Sequence, residues 1–516
     1  MNKMLNGMKK TSNFTYTENG ALTHKTSLSG LLDLFGMGAA YRSRSDSDCI
    51  VLFQKAYNED PIHALKCLFY LRDVRGGQGE RRFFRVITKW LAANETEAMR
   101  RNLKYVPEFG RWDDLYVFVG TKLERDAFKL MEEQIKLDIT CKTPSLLAKW
   151  LKSENTSSED SRMLANKTRA AFGLNHRQYR KMLSALRARI NVLERLMSAG
   201  KWDEIEFDKI PSKAGFIYRN AFARHDIERM KAKVEVQSYA DFVRDDTKKV
   251  NAKDLYPYEV VAKAYNLTRN SYSYSYYSHR VEFNEDDVNS TERAAINKYW
   301  DNLKDYFDGC SFNGLCMCDT SGSMWSEKAS APINVAISIA LYCAERGKGP
   351  FANHYISFSS RPQLIETVGV DFVDKVRRIY STNLCENTNI EAAFDMLLDT
   401  ARRTHCAQED IPQNIIVVTD MEFDAARGHY SRYHDDDSST LMENIEKKWN
   451  AAGYKIPSLI FWNVDARQDN IPMQVKNGIS YVSGFSPVLF EQIMKGKTAY
   501  DLMFDKLDSE RYACIK

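Results

Sequence analysis

Long apolar runs are absent from this chain of 516 residues. A helix that crosses a membrane needs about 20 consecutive apolar residues. The longest candidate, residues 333–344, is shorter and contains Asn334 and Ser338. The first residues of the chain also lack the continuous apolar stretch of a secretory signal. We therefore expect a protein with no membrane association and a cytoplasmic location.

Cysteines with the spacing of a disulfide framework or a zinc finger are also lacking. The ten cysteines are scattered, and Cys49, Cys67 and Cys343 lie inside apolar segments. Such thiols are usually buried and reduced. Cys316 and Cys318 have no second pair at finger-like spacing, so zinc binding is excluded there. These features favour an intracellular protein.

The chain as a whole also lacks a strong net charge, although each half of it is charged. The formal charge of the whole chain is +4. Residues 1–300 carry 51 Lys and Arg against 39 Asp and Glu, which gives +12, whereas residues 301–516 carry 22 against 30, which gives −8. A basic half and an acidic half indicate different partners for the two parts of the chain.

The apolar pattern divides the chain at a similar point. Its length exceeds the roughly 250–300 residues that one core supports, so we expect at least two domains. From about residue 49 to 265 the spacing is helical, which predicts an all-α domain over 1–305, packed as a bundle or a solenoid. After residue 306 short β-type runs alternate with helices, which predicts a mostly parallel α/β domain over 306–516. Its predicted strands are 315–319, 354–360, 415–420, 458–464 and 479–484, and its predicted helices lie around 330–345, 389–404, 440–452 and 486–495.

Carboxylate and hydroxyl side chains follow two of the predicted parallel strands. The strand LCMC is followed by Asp319, Ser321 and Ser323, and the strand IIVVT is followed by Asp420. Thr388 comes shortly before a predicted helix. Ligands of such sheets bind at the carboxyl ends of strands, and these oxygen donors suit Mg²⁺, with Mn²⁺ or Ca²⁺ as other hard cations.

This constellation resembles the metal-ion-dependent adhesion site of a von Willebrand factor A domain, which has a Rossmann-like fold. The resemblance implies that Ser321 and Ser323 bind the metal directly and that Asp319, Thr388 and Asp420 bind directly or through water. It also implies an open coordination position for an acidic group of a protein partner. Met421 stands where the family usually has glycine.

The sequence does not show the additional groups that a catalytic role of these residues would need. An aspartyl nucleophile of the phosphoryl-transfer type needs a second carboxylate two residues later, and Ser321 occupies that position. No recognisable motif places a His or Lys to activate Ser321 or Ser323. We therefore predict a binding protein and not an enzyme.

One window of the helical half is strongly basic. Residues 161–193 contain eight Lys and Arg, one His, and no Asp or Glu. At 100° per residue, apolar residues from Tyr179 to Met197 share one side of a helix, and the basic side chains lie opposite. A surface of one sign favours phosphate binding, which predicts RNA as a partner. The predicted RNA contacts are Arg162, Lys167, Arg169, His176, Arg177, Arg180, Lys181 and Arg187.

The helical half carries a second resemblance. The stretches FYLRDVRGGQGERRFFR, FGRWDDL and LLAKWLKSEN resemble an uncharacterised family of plant, fungal, bacterial and viral proteins, which is related to the TROVE module of Ro ribonucleoproteins. That relationship implies a ring or horseshoe of HEAT-like repeats closed by a von Willebrand A domain. It also implies binding of small non-coding RNA and of single-stranded RNA ends. The alternative is a metal-dependent protein-interaction scaffold.

Two segments allow more than one interpretation. Residues 269–280, RNSYSYSYYSHR, could stack aromatic rings on bases or could form a polar β-ribbon. The glycine-rich loop from Arg75 to Arg82 could bind phosphate or could be a turn between two helices. The element at Trp112, Asp113 and Asp114 fits a packed helix start.

Overall fold

The computed structural model describes residues 4, 12–190, 192–232, 236–274, 281–283, 289–307, 312–326, 331–358, 361–381, 388–425, 439–473, 476, 478–490 and 498–516. Within this part of the chain, every helix is too short or too polar to cross a membrane. The eight cysteines among these residues are free thiols, and Cys49, Cys67 and Cys343 are buried as expected.

The amino-terminal half is helical, as the apolar pattern predicted. Its helices are α1 (Gly30–Met37), α2 (Asp46–Glu59), α3 (Pro61–Arg72), α4 (Arg82–Asn94), α5 (Thr96–Asn102), α6 (Val106–Phe109), α7 (Glu124–Thr140), α8 (Leu147–Trp150), α9 (Glu159–Ala171), α10 (His176–Arg189), α11 (Leu193–Ser198), α12 (Ser212–Arg224), α13 (Asp226–Ala232), α14 (Tyr239–Arg244), α15 (Pro257–Thr268) and α16 (Ser290–Asp301).

The carboxyl-terminal half alternates strands with helices. Its helices are α17 (Pro332–Arg346), α18 (Phe372–Ser381), α19 (Ile390–Thr404), α20 (Leu441–Ala451) and α21 (Ala499–Leu507). Among the described residues, the strands are β1 (Phe14–Tyr16), β2 (Leu22–His24), β3 (Arg269–Tyr274), β4 (Val281–Phe283), β5 (Gly314–Asp319), β6 (His354–Phe358), β7 (Gln363–Glu366), β8 (Asn414–Thr419), β9 (Ser458–Asn463) and β10 (Ile479–Ser483).

Contacts group the chain into two compact units. The sheet unit comprises Met1–Asp48, Leu52–Asp60 and Ala252–Lys506, and the helical unit comprises Cys49–Val51, Pro61–Asn251 and Leu507–Lys516. Both units are discontinuous in sequence, whereas the sequence pattern predicts a single boundary, between residues 305 and 306. The helices α15 and α16 and the amino-terminal hairpin β1–β2 belong to the sheet unit.

The sheet unit is built on six strands in the order β10-β9-β8-β5-β6-β7. Strands β10, β9, β8, β5 and β6 are parallel, and β7 pairs with β6 in the antiparallel direction. Since β6 and β8 lie on opposite sides of β5, the chain changes direction across the sheet at β5 and β8. The carboxyl ends of these two strands therefore flank the crevice where ligands of such sheets bind.

Three details of this unit differ from the expectations. Strand β7 was not predicted, because its residues are mostly exposed and form no apolar run. The helices α18 and α21 were not predicted either. A helix was expected over 486–495, but residues Pro487–Leu489 form a short 3-10 helix, and residues 491–495 lie outside the described part of the chain.

The helical unit contains a buried ion-pair network beside the glycine-rich loop. Arg72 donates to Asp114 Oδ2 from Nε at 2.9 Å and from Nη2 at 2.6 Å, and Arg85 Nε donates to Asp114 Oδ1 at 2.8 Å. Arg81 pairs with Asp113. The loop that leads from α3 to α4 is thus a turn whose flanking arginines are paired, and Asp113 and Asp114 begin a packed 3-10 helix.

The basic helix begins where a capping box predicts and ends earlier than expected. Gln178 N donates to Asn175 Oδ1 and Asn175 N donates to Gln178 Oε1, both at 2.9 Å, which starts α10 at His176. Tyr179, Leu183 and Leu186 form its buried side, as the pattern predicted. The expected single helix through Met197 is wrong, because α10 ends at Arg189 and α11 begins at Leu193.

The Ser- and Tyr-rich segment contains backbone strand structure. Strands β3 and β4 pair in the antiparallel direction, with Arg269 opposite Phe283 and Tyr274 opposite Val281. This pairing fits the polar ribbon. Residues 275–280 and the side chains of the ribbon lie outside the described part of the structure, so base stacking stays a prediction.

Candidate functional site

The predicted metal ligands lie at the carboxyl ends of β5 and β8. Asp319 is the last residue of β5 and is fully buried. Its Oδ1 accepts a hydrogen bond from Ser321 N at 2.9 Å, and its Oδ2 accepts one from Thr419 Oγ1 at 2.6 Å. Because β5 and β8 are paired and parallel, Thr419 can reach across the strand pair and fix the Asp319 carboxylate.

Hydrogen bonds connect four of the five predicted ligands. Ser321 Oγ lies 3.0 Å from Ser323 Oγ. Ser323 in turn is hydrogen-bonded to the carboxylate of Asp420, which is 1% exposed. Asp319, Ser321, Ser323 and Asp420 therefore form one continuous cluster of oxygen donors, as the spacing predicted.

Thr388 is attached to the same region through its backbone. The Thr388 carbonyl accepts a hydrogen bond from Asp424 N at 3.0 Å, in the loop that follows β8 and carries Asp420. Thr388 is buried, and the next residue, Asn389, caps α19 by accepting a hydrogen bond from Ala392 N at 3.0 Å. This places Thr388 beside the loop of Asp420.

The loop after β8 has the backbone shape that the usual glycine would provide. Met421 adopts φ 68°, in the left-handed region that side chains disfavour. Its N–H donates to Thr419 Oγ1 at 3.0 Å, and its side chain is buried. The burial of the Met421 side chain offsets part of the conformational cost of this turn.

The two carboxylates lie in an electrostatically unfavourable place. Burial and the neighbouring Asp420 raise the pKa of Asp319 to about 7. Burial also raises the pKa of Asp420 above its usual range. A cation bound beside these two buried carboxylates would favour their ionised forms.

Three further residues of this site were missed by the sequence analysis. Thr419 orients Asp319, as described above. Arg467 Nη2 donates to Asp420 Oδ2 at 3.1 Å, and its Nη1 pairs with Glu18 at 2.7 Å. Glu422 is fully buried, and its carboxylate accepts hydrogen bonds from Glu18 N at 2.7 Å and Asn470 Nδ2 at 3.1 Å. Arg467 follows the end of β9, so the strand-end rule applied to β9 could have identified it.

The donor set fits a hard divalent cation. Two carboxylates and the hydroxyls of Ser321, Ser323 and Thr388 are the oxygen ligands that Mg²⁺ accepts together with water. Thr320 adds a buried hydroxyl that has no hydrogen-bond partner among the described residues. In that part of the chain no three His, Cys, Asp or Glu side chains cluster as metal ligands, so a cation would depend on the hydroxyls. Because Arg467 donates to Oδ2 of Asp420, Asp420 would bind a cation through Oδ1 or through a water molecule.

The predicted RNA contacts lie on α9 and α10, and five of them have partners within the helical unit. The guanidinium of Arg187 donates to Ala148 O at 2.9 Å, Leu151 O at 2.8 Å and Ser153 Oγ at 2.9 Å, which closes the end of α8. The other four contacts are Arg162 with the carbonyls of Thr156 and Ser157, Lys167 with Glu124, and Arg169 and His176 with Glu154.

The remaining three cations are exposed on α10. Arg177 and Lys181 make no ion pair or hydrogen bond within the described part of the chain, and Arg180 bonds only to His176 O of its own helix at 3.3 Å. Of the three, Arg180 lines a cleft of about 640 Å³. Four cationic side chains line this cleft, namely Lys149, Arg180, Arg187 and Arg195.

Comparison with known proteins identifies relatives along nearly the whole chain. Residues 313–511 match the family model described as "Domain of unknown function (DUF7788)". A protein of Acanthamoeba polyphaga mimivirus, "Uncharacterized protein L728", is 29% identical over 526 residues, which cover 94% of this chain and 85% of that protein.

A second family model, "Domain of unknown function (DUF2828)", matches residues 17–171 and 138–307. Together these two overlapping matches span residues 17–307, which is more than half of the chain. The protein therefore belongs to the DUF2828 family.

Proposed function

We propose that this protein is a non-enzymatic, Ro-like RNA-binding protein. The observation that carries the proposal is the exposed cationic side of α10, which presents Arg177, Arg180 and Lys181, with Arg180 also lining the cationic cleft. Residues 161–193 contain no acidic residue, and Arg177 and Lys181 have no acidic partner among the described residues. An uncompensated row of cations attracts phosphates and releases their counterions.

The structural details narrow the proposed contact surface. Arg187 and Arg169 use their hydrogen-bond donors to hold the helical unit together, so we assign the main contribution to Arg177, Arg180 and Lys181. Partnered cations still contribute to the field at the surface. We further propose HEAT-like repeats for the helical region, a von Willebrand A-like fold for the sheet, and small non-coding or single-stranded RNA as ligands.

Titration of labelled single-stranded RNA at several salt concentrations tests this proposal. The variant Arg177→Gln/Arg180→Gln/Lys181→Gln should bind more weakly, and the slope of log Kd against log salt should fall by about 2 if three phosphate contacts are lost. The matched control is Lys129→Gln/Lys136→Gln/Lys142→Gln, which removes the same charge from α7 and the loop after it. Equal weakening by both variants, or no RNA binding by the wild type, would overturn the proposal.

A second candidate function is metal-dependent capture of an acidic group. The specific observation is the hydrogen-bonded cluster of Asp319, Ser321, Ser323 and Asp420 at the crevice of the sheet. A cation held there would use an open position for a carboxylate of a partner, and the protein would act as an interaction scaffold.

Calorimetric titration with Mg²⁺ and Mn²⁺ tests the second function without a partner. Asp319→Ala should abolish cation binding because it removes a buried ligand. Asp395→Ala removes an exposed carboxylate that pairs with Lys448, and it should leave binding unchanged. If the wild type binds neither cation, this function is excluded.

A further inference from the structure

The cationic cleft of the helical unit also contains a buried acidic oxygen. Glu194 lines the cleft, and its Oε2 is buried and makes no hydrogen bond within the described part of the chain. Its Oε1 accepts a hydrogen bond from Tyr218 OH at 3.3 Å. A buried carboxylate oxygen without a donor is costly, so a ligand that brings a donor to this oxygen would be stabilised there.

The remaining walls of the cleft supply apolar surface and positive charge, and Glu154, which pairs with Arg169 and His176, adds a second carboxylate. Leu183 and Val192 provide apolar surface next to Glu194. Lys149, Arg180 and Arg195 provide positive charge, and Lys149 and Arg195 make no ion pair among the described residues. The cleft thus combines an acceptor for N–H donors, an apolar surface for a ring and cations for a phosphate. Its volume of about 640 Å³ lies in the range of small-molecule sites.

We infer that this cleft binds one guanine nucleotide of the RNA. The Watson–Crick edge of guanine carries two adjacent donors, N1–H and the 2-amino group, which suit a carboxylate acceptor. Adenine places an unprotonated nitrogen at the same position, which the carboxylate repels. The base would lie against Leu183 and Val192, and Arg180, Arg195 and Lys149 would bind the phosphate. This inference rests on the proposed RNA-binding function and names the base that the protein selects.

Titrations with the free nucleotides GMP, IMP and AMP test the proposed contact between guanine and Glu194 independently of RNA binding. We expect the affinity to fall in the order GMP, IMP, AMP, with GMP at least about tenfold tighter than AMP. Glu194→Gln should remove this preference, whereas Arg195→Gln should weaken all three nucleotides alike. Glu133→Gln, which neutralises an exposed glutamate on α7, is the matched control and should leave the order unchanged.

A second variant keeps the inference testable if Glu194→Gln is poorly folded. Ser184→Trp fills the cleft from its exposed rim without changing a charge, and it should block GMP. Equal affinities for GMP and AMP in the wild type would overturn the inference even if RNA binds. If GMP binds selectively and RNA does not bind, the RNA function fails and the cleft is a site for the free nucleotide.

Discussion

A single residue in an unfavourable backbone conformation lowers the free energy of unfolding, and a substitution can measure this effect. His405 follows α19 in the left-handed region, at φ 52° and ψ 36°, and its side chain is exposed. The N–H of Cys406 donates to Ala401 O at 3.2 Å, so the position ends the helix in the way that glycine usually does. His405→Gly should raise the free energy of unfolding by about 1 kcal/mol, because glycine lacks the Cβ that disfavours this conformation.

Urea unfolding of this variant should be compared with His405→Ala. Alanine removes the same imidazole and keeps the Cβ, so it should give no gain. Equal stabilisation by both variants would show that backbone strain is not the cause.

The raised pKa of Asp319 predicts that the affinity of the proposed site for a cation depends on pH. Burial and Asp420 raise this pKa to about 7, so Asp319 carries a proton below that pH and a cation must displace it. Affinity for Mg²⁺ or Mn²⁺ should therefore decrease as the pH falls from about 8 to about 6, by up to about tenfold per pH unit. Calorimetric titration across this range measures the effect, and a constant affinity would contradict it.

At the scale of elements, the ion-pair network joins α3, α4 and the 3-10 helix that begins at Trp112. Burial opposes ionisation of Asp114, but Arg72 and Arg85 hold its pKa below the usual range. Asp114→Ala leaves the buried Arg72 unpaired and should lower the free energy of unfolding by about 3–5 kcal/mol. Asp126→Ala, which breaks an exposed pair with Arg100, should change it little.

The pH dependence of this stabilisation has a definite sign. The folded pKa of Asp114 is depressed, so its contribution is complete above the unfolded pKa of about 4 and is lost as the pH falls through the lower folded value. Urea unfolding near neutral pH and in acid should show a smaller acid-induced loss in Asp114→Ala than in the wild type. An identical loss in both proteins would assign the acid sensitivity to other carboxylates.

The elements also show which parts of the fold the sequence could predict. Strands β5, β8 and β9 are buried along nearly their whole length, so they appear as continuous apolar runs. Strand β7 is exposed at the sheet edge and has no such pattern. Asp319 and Asp420 could be predicted from strand ends. Arg467 also follows a strand end, but its contact with Asp420 depends on the pairing of β8 with β9, which spacing alone does not show.

At the scale of the whole molecule, the near-neutral charge conceals two proposed functions on different residues. The proposed RNA surface belongs to the helical unit, and the proposed cation site belongs to the sheet unit. Removal of divalent cations with EDTA, or the substitution Asp319→Ala, should therefore leave RNA affinity unchanged. Fluorescence anisotropy with labelled RNA, with and without EDTA, checks this, and the same substitution should abolish capture of an acidic ligand. Loss of RNA binding on chelation would show that the two sites depend on each other.

Because the helical unit is discontinuous in sequence, its segments are synthesised at widely separated times. Asp73 near the start of this unit binds Arg511 and Tyr512, which come more than 430 residues later, with Arg511 Nη2 at 2.7 Å from Asp73 Oδ1. A ribosome that adds about 5–20 residues per second needs roughly 20–90 s to make the chain between them. During that interval the carboxylate of Asp73 lacks its partner Arg511. The helical unit can therefore complete this contact only after residues 507–516 have been synthesised, which happens after the sheet unit has been made.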